Sequence, residues 1–300
     1  MRGLATELMR GAVDLHTHGQ PEVGLDIPKR LDDWEWAACA RDLGMRAIVL
    51  KSHLWPTMVP AFHLRHMVPD ILVLGSITLN SVVGGVDPWV VEAAARLGAR
   101  LVFMPTWSAA HDLRREAASK SMKGWFPRLE GLTPDKGISV VDTDGRLLPC
   151  AREVLAVAHA HKLALSTSHL SPVESIALAE EAARIGFRRL VFGHPHSGSV
   201  GASDEQILRM AELGATIELC FLSLLPFQRL EPQRLLRLIR DLSPEKCVLT
   251  TDYFREWCPS APEMLRMFIG ILLQLGIGAD AIRTMVQVNP SRLLGLDEAG

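Results

Sequence analysis

Short apolar, β-branched runs alternate with helical patterns along this 300-residue chain, and that rhythm restricts the fold more than any other feature. The strand-like runs lie near residues 11–16, 46–51, 71–80, 100–104, 163–167, 189–192, 215–219 and 247–251. Helical patterns fill the intervals, near 31–43, 57–67, 88–97, 149–161 and 230–241, with two more near 260–275 and 279–287. Local signals mark several helix boundaries. Asp87-Pro88 and Ser171-Pro172-Val173-Glu174 are start signals, the second with a capping-box glutamate, and Gly44 and Gly98 are stops. Eight strands, each followed by helical sequence, predict an α/β fold, a (β/α)8 TIM barrel. A doubly wound open sheet is the competing architecture. Its nucleotide-binding forms lose support, because neither a G-x-G-x-x-G after the first strand nor a P-loop is present.

The rhythm breaks once, between about residues 105 and 148, where Pro, Gly, Ser and charged residues replace the apolar runs. The chain therefore reads as one barrel domain over 1–300 with a long insertion after the fourth strand. The insertion carries Arg114, Arg115, Lys120, Lys123 and Arg128 beside Trp107, Trp125 and Phe126. Two readings stand: a basic, aromatic lid that selects a small anionic or aromatic substrate, or a solvated loop that serves homo-oligomer contacts. A formal charge of −2 gives no electrostatic ground for a nucleic-acid or membrane-surface partner. No apolar run is long enough to span a bilayer, and the first residues lack the apolar core of a signal peptide. The five cysteines are scattered and form no C-x-x-C pair, so the expectation is reduced thiols in a cytoplasmic protein acting on a small molecule.

The eleven histidines are unevenly placed. His16, His18, His53, His169, His194 and His196 fall at or just beyond strand C-termini, the end of a barrel where chemistry sits. His111 lies in the insertion, while His63, His66, His159 and His161 lie on helices and suit ordinary structural roles. In Asp14-Leu15-His16-Thr17-His18 the period of two puts Asp14, His16 and His18 on one face of the first strand. Two imidazoles side by side there make a chelate for a divalent ion. Asp252 follows the eighth strand.

The His16-x-His18 pair, His169 after the fifth strand, His194 after the sixth and Asp252 after the eighth together resemble the amidohydrolase superfamily of metal-dependent hydrolases. The resemblance runs from residue 11 to about 252. The strings Lys51-Ser52-His53, His169-Leu170-Ser171-Pro172 and Asn289-Pro290-Ser291-Arg292-Leu293-Leu294-Gly295-Leu296 look like a little-characterised branch of that superfamily and not like its deaminases or dihydroorotases. The resemblance implies that His16, His18, His169, His194 and Asp252 bind one or two divalent ions, and that Asp252 also handles the proton of the attacking water. One departure stands out. Two-metal members bridge their ions with a carboxylated lysine or a glutamate from the fourth strand, and here that strand ends Phe103-Met104-Pro105-Thr106-Trp107. Either one ion is bound, or Lys51 of the second strand, carboxylated, is the bridge. The other reading of Lys51 is a plain lysine that neutralises a substrate carboxylate or pairs with Asp252.

Neutral imidazoles and a carboxylate suit Zn, with Mn or Fe as alternatives, and do not suit a calcium cage. Asp252 is the expected general base, then general acid. His194 is either a ligand or a donor to the developing oxyanion. Asp14 is either a support for the ligands or a structural buried acid. His53, Asn80, Trp107, His111 and Glu218 fall at the predicted mouth as candidate substrate contacts, and Glu218 has the alternative of a buried polar group inside the barrel. The leading function is hydrolysis of an amide, cyclic amide, lactone or ester. A metal-dependent decarboxylase is the alternative, a phosphoesterase follows if two metals bind, and a degenerate barrel that only binds is disfavoured by the intact ligand set.

Overall fold

A computed structural model describes residues 2–26, 31–226, 228–254 and 257–297. Its strands are β1 (Val13–His18), β2 (Ala47–Lys51), β3 (Leu72–Thr78), β4 (Ala99–Phe103), β5 (Ala164–Ser166), β6 (Leu190–Phe192), β7 (Thr216–Cys220) and β8 (Cys247–Thr250). They form one eight-stranded sheet in sequence order, β1 to β8. The order follows from right-handed β–α–β crossovers, each of which lays the next parallel strand beside the last. Bonds between β1 and the chain leaving β8 close the sheet: Asp252 N–H donates to His16 O at 2.8 Å and His18 N–H to Tyr253 O at 3.0 Å. The fold is a (β/α)8 barrel.

Two compact units make up the chain. The first holds Met1–Ser52, Thr57–Gly75 and Glu218–Gly300, and the second holds His53–Pro56 and Ser76–Ile217. In the first, β1 and β2 are buried along their whole length. The sequence there reads as continuous apolar runs because a parallel strand is covered on both faces. Its helices are α1 (Arg2–Met9), α2 (Asp33–Asp42), α3 (Met58–Met67), and the later α10 (Pro232–Leu242), α11 (Ala261–Gln274), α12 (Ala279–Arg283) and α13 (Asn289–Leu293). The acidic start expected near residue 31 is a full capping box: Asp32 accepts from Glu35 N–H, and the Glu35 carboxylate accepts from Asp32 N–H. Helix α10 buries a stripe of Leu235, Leu236, Leu238, Ile239 and Leu242. The second expected C-terminal helix, near 279–287, is the short α12 followed by a π-helical turn over Thr284–Val288.

The second unit contains α4 (Pro88–Arg96), α5 (Ala110–Arg115), α6 (Ala118–Trp125), α7 (Pro149–Ala160), α8 (Pro172–Ile185) and α9 (Asp204–Glu212). Helix α8 starts as its sequence predicts, with Pro172 in its first turn and Ser171 and Glu174 forming the reciprocal cap. The 105–148 insertion lies wholly within this unit and is more ordered than its composition suggests. It folds into α5, α6 and two 3-10 turns, Pro127–Gly131 and Pro134–Lys136. Its return segment is pinned to the start of α5, where Ala110 N–H donates to Ile138 O at 2.8 Å and Ile138 N–H to Ser108 O at 2.8 Å.

Candidate metal centre

Strand β1 ends in the two histidines because its last residues are extended and wholly buried. The register against β2 slips within it, Asp14 facing Ile48 and Thr17 facing Leu50, so β1 carries one extra residue. Bulges of this kind re-aim side chains at barrel rims. Asp14 holds the bulged strand to the β8 exit. Its Oδ1 accepts from His16 N–H at 3.1 Å and Thr251 N–H at 3.3 Å, and its Oδ2 from the Thr251 hydroxyl at 2.6 Å. Burial pushes the Asp14 carboxyl up to about 7, against the pull of those hydrogen bonds. Asp14 is therefore a buried acid that joins two strands.

Each β1 histidine is backed by a carboxylate. His16 Nδ1 lies 2.8 Å from Glu218 Oε1, and His18 Nδ1 lies 3.0 Å from Glu22 Oε1. A carboxylate only accepts, so Nδ1 carries the proton in both rings and the lone pair sits on Nε2. Both Nε2 atoms point at the same oxygen, Asp252 Oδ1, at 3.1 Å from His16 and 3.3 Å from His18. Lys51 Nζ stands 2.8 Å from His16 Nε2. Lys51 is 1% exposed, and burial lowers its pKa against the opposing charges of Asp252 and Glu218. Burial likewise lowers that of His16, opposed by the Asp252 charge. The neutral imidazole so favoured is the ligating form.

These residues fit a divalent ion. Two lone pairs aimed at a carboxylate oxygen repel one another unless a cation or an N–H donor lies among them, and Lys51 Nζ at 2.8 Å can relieve that of His16. Atoms that bind one zinc-like ion at roughly 2.0–2.1 Å stand about 3.0–3.4 Å apart, which matches the two distances to Asp252. His16, Glu218 and Cys220 also lie close enough for metal binding, but burial pushes the Cys220 thiol well up, and only a thiolate is a good ligand.

In the second unit, His169 and His194 follow β5 and β6, and their rings meet edge to face with centroids 5.0 Å apart. His169 Nδ1 lies 2.7 Å from Asp112 Oδ2. Burial raises the Asp112 carboxyl, but the hydrogen bond and charge of His169, with bonds from Ser119, outweigh it and hold the group below its ordinary value. The Ser197 hydroxyl lies 3.1 Å from His194 Nδ1. Ser168, His194 and Asp252 have φ of 51°, 25° and 50°, a left-handed conformation that is uncommon for non-glycine residues. All three come directly after β5, β6 and β8.

Several expected substrate contacts have other partners. Glu218 is 2% exposed, and its Oε1 lies 2.8 Å from His16 Nδ1 and accepts from the Thr250 hydroxyl at 3.0 Å. Asn80 is fully buried: its Nδ2 donates to His53 O and Thr106 Oγ1, and its Oδ1 accepts from Thr106 N–H and the Ser108 hydroxyl. Trp107 Nε1 donates to His53 O at 3.1 Å. Asn80 and Trp107 thus tie together the loops after β2, β3 and β4, with His53 supplying the shared carbonyl. His111 Nε2 donates to Val200 O at 3.0 Å. Sequence reasoning missed Glu22 and Asp112. Glu22 stands four residues after His18 and Asp112 directly after His111, spacings that mean nothing in loops until the backbone path is known.

The eight-stranded barrel recurs among solved structures. An amidohydrolase from Pseudomonas aeruginosa superposes with TM-score 0.63 at 12% identity, covering 97% of this chain and 98% of the other. A mutant PTE-like lactonase from Deinococcus radiodurans gives 0.57 at 14% identity over 97% of each chain. A 2,6-dihydroxybenzoate decarboxylase gives 0.59 at 12% identity, covering 96% of this chain and 99% of the other. At these identities the likeness is one of fold. No curated protein sequence matches. By its fold the chain is a (β/α)8 barrel, as these solved proteins are. It belongs to DUF6282, a family of unknown function, whose model matches residues 11–218.

Proposed function

We propose that this chain is a metal-dependent hydrolase of a small-molecule amide, cyclic amide, lactone or ester. The observation that carries the reading is the pair of carboxylate-backed imidazoles, His16 with Glu218 and His18 with Glu22, both turned on Asp252 Oδ1. His16, His18 and Asp252 are the proposed ligands supported by geometry. The superfamily resemblance also implies ligand roles for His169 and His194, His194 with the alternative of donating to the developing oxyanion. A bound divalent ion, most simply zinc with Mn or Fe as substitutes, supplies a water of lowered pKa and polarises the scissile carbonyl. Asp252 accepts the water proton on its carboxylate and returns it to the leaving group. It is the most exposed member of the cluster, at 14%, as a proton shuttle must be to reach substrate. Glu218 and Glu22 hold the two rings in the tautomer that keeps Nε2 unprotonated. Lys51, 2.8 Å from His16 Nε2, screens the carboxylates of Asp252 and Glu218 in its ammonium form; carboxylated, it would instead be the bridge between two ions.

The test is Asp252→Asn, which keeps size and tolerates the positive φ but cannot carry the proton. Turnover of a hydrolysable ester or lactone panel should fall roughly 10²–10⁴-fold with the circular dichroism unchanged. Wild-type rates in that variant would remove Asp252 from the proton path. The decarboxylase reading draws on the likeness to the dihydroxybenzoate decarboxylase and is separated by product: carbon dioxide from an aromatic acid, with no water consumed. Metal analysis tests the phosphoesterase reading, which calls for two ions per chain.

A further inference from the structure

The insertion after β4 holds the β5 and β6 exits through one short helix. Three residues of α5 reach different targets: Asp112 takes His169 Nδ1, His111 takes Val200 O, and Arg115 Nε donates to Gly198 O. Val200 and Gly198 belong to the loop that carries His194, which closes on itself through Ser197 N–H to His194 O at 2.9 Å and Gly201 N–H to Ser197 O at 2.8 Å. Helix α5 is itself fixed. A Cβ on Gly137 would lie 2.6 Å from Ala110 Cα, so the return segment of the insertion packs directly on its backbone.

Asp112 is fully buried, and each oxygen has a defined duty. Oδ1 accepts from Ser119 N–H at 2.7 Å, and Oδ2 accepts from Ala118 N–H at 3.2 Å and from His169 Nδ1 at 2.7 Å. Helix α6 has no side-chain cap from its own N-cap residue, Ala117, and Asp112 supplies the missing acceptors from the preceding helix. The carboxylate is thereby oriented before His169 meets it. One oxygen is set against the ring, and it can only accept.

We propose that Asp112 is a positioning residue that fixes His169 as the Nδ1–H tautomer, with its Nε2 lone pair kept for a divalent cation, and that the insertion exists in part to deliver it. This rests on the proposed reading of His169 as a ligand, and the experiment separates the two. In Asp112→Asn one amide oxygen must serve two sides: kept at the Oδ1 position, it retains the 2.7 Å bond from Ser119 N–H and gives up the 3.2 Å bond from Ala118 N–H. The amide NH2 then faces His169 Nδ1 and can only donate. The ring must answer with a lone pair on Nδ1 and a proton on Nε2, as a carboxylate-to-amide change beside a catalytic histidine is known to enforce.

The measurement is a long-range proton–nitrogen correlation spectrum of the full chain labelled with 15N-histidine and stripped of metal by chelation. His169→Gln identifies the resonance. Wild type should show His169 protonated on Nδ1, and Asp112→Asn should show it protonated on Nε2. Titration with Zn²⁺ should then give roughly 10–100-fold weaker binding for the variant. An Nδ1–H ring that survives in both Asp112→Asn and Asp112→Ala overturns the proposal, because alanine leaves no acceptor against the ring in any orientation. So does an Nε2–H ring in the wild type, a result that decides the matter even if the variant does not fold. A switched tautomer with unchanged Zn²⁺ affinity upholds Asp112 and removes His169 from the ligand set.

Discussion

Glu218 shows how much one side chain's meaning depends on its neighbours. It stands on a strand of ordinary appearance, and it is 202 residues from the imidazole it holds. Glu218→Gln keeps an acceptor for His16 Nδ1 but removes the negative charge that makes Nε2 a stronger base. Zn²⁺ affinity should fall by roughly 10–100-fold while the unfolding midpoint moves little, and isothermal titration beside a denaturant curve checks both. Asp14 makes a different prediction. Its carboxyl is raised from an ordinary value of 3.8 to about 7 in the folded protein, so the folded state binds more protons than the unfolded state between those values. Its contribution is fully present below about pH 4 and is lost as pH rises through about 7. Metal-stripped wild type should therefore lose on the order of a few kcal/mol relative to Asp14→Asn across that window, as measured by urea unfolding at stepped pH. A difference between the two proteins that stays flat with pH would show that Asp14 is ionised throughout.

At the scale of elements, the strand and helix starts are written locally and the close approaches are not. Ser171 and Glu174 cap α8 as their spacing predicts, since both partners lie within one turn. Helices α1, α5 and α6 escape sequence reading because they have 8, 6 and 8 residues, shorter than the window over which helical periodicity emerges. Gly75 in β3 illustrates an approach of backbones: a Cβ there would lie 2.6 Å from Met58 Cα and 2.9 Å from Met58 N at the start of α3. Backbone cannot swing aside as a side-chain tip can. Gly75→Ala should cost about 1–3 kcal/mol, seen as a lower urea midpoint with an unchanged slope. A neutral substitution would mean that α3 slides freely over β3.

For the whole molecule, the proposed ion is also a folding ligand, because its donors come from distant parts of the chain: His16 and His18 near the start, Asp252 near the end. Zn²⁺ added to the metal-stripped protein at a hundredfold excess over Kd should raise stability by about 2.7 kcal/mol, and the gain should vanish in the His16→Gln/His18→Gln double variant. Calorimetry with and without chelator measures it. The fold class was legible from the sequence, because a parallel strand buried on both faces leaves an unmistakable apolar run and each helix announces its ends within a few residues. The positions of His16, His18 and Asp252 at strand exits were legible for the same reason. The roles of Glu22, Asp112, Asn80 and Trp107 were not. Each is defined by a partner brought near by the backbone path through loops, where no periodicity ties sequence spacing to distance. Local sequence determined which segments become strands and helices, since propensity, capping and burial act over a few residues. Only the tertiary structure decided which nitrogen of each histidine carries its proton, since that depends on the carboxylate set against the ring, Glu218 by strand packing and Glu22 by the path of the loop after β1.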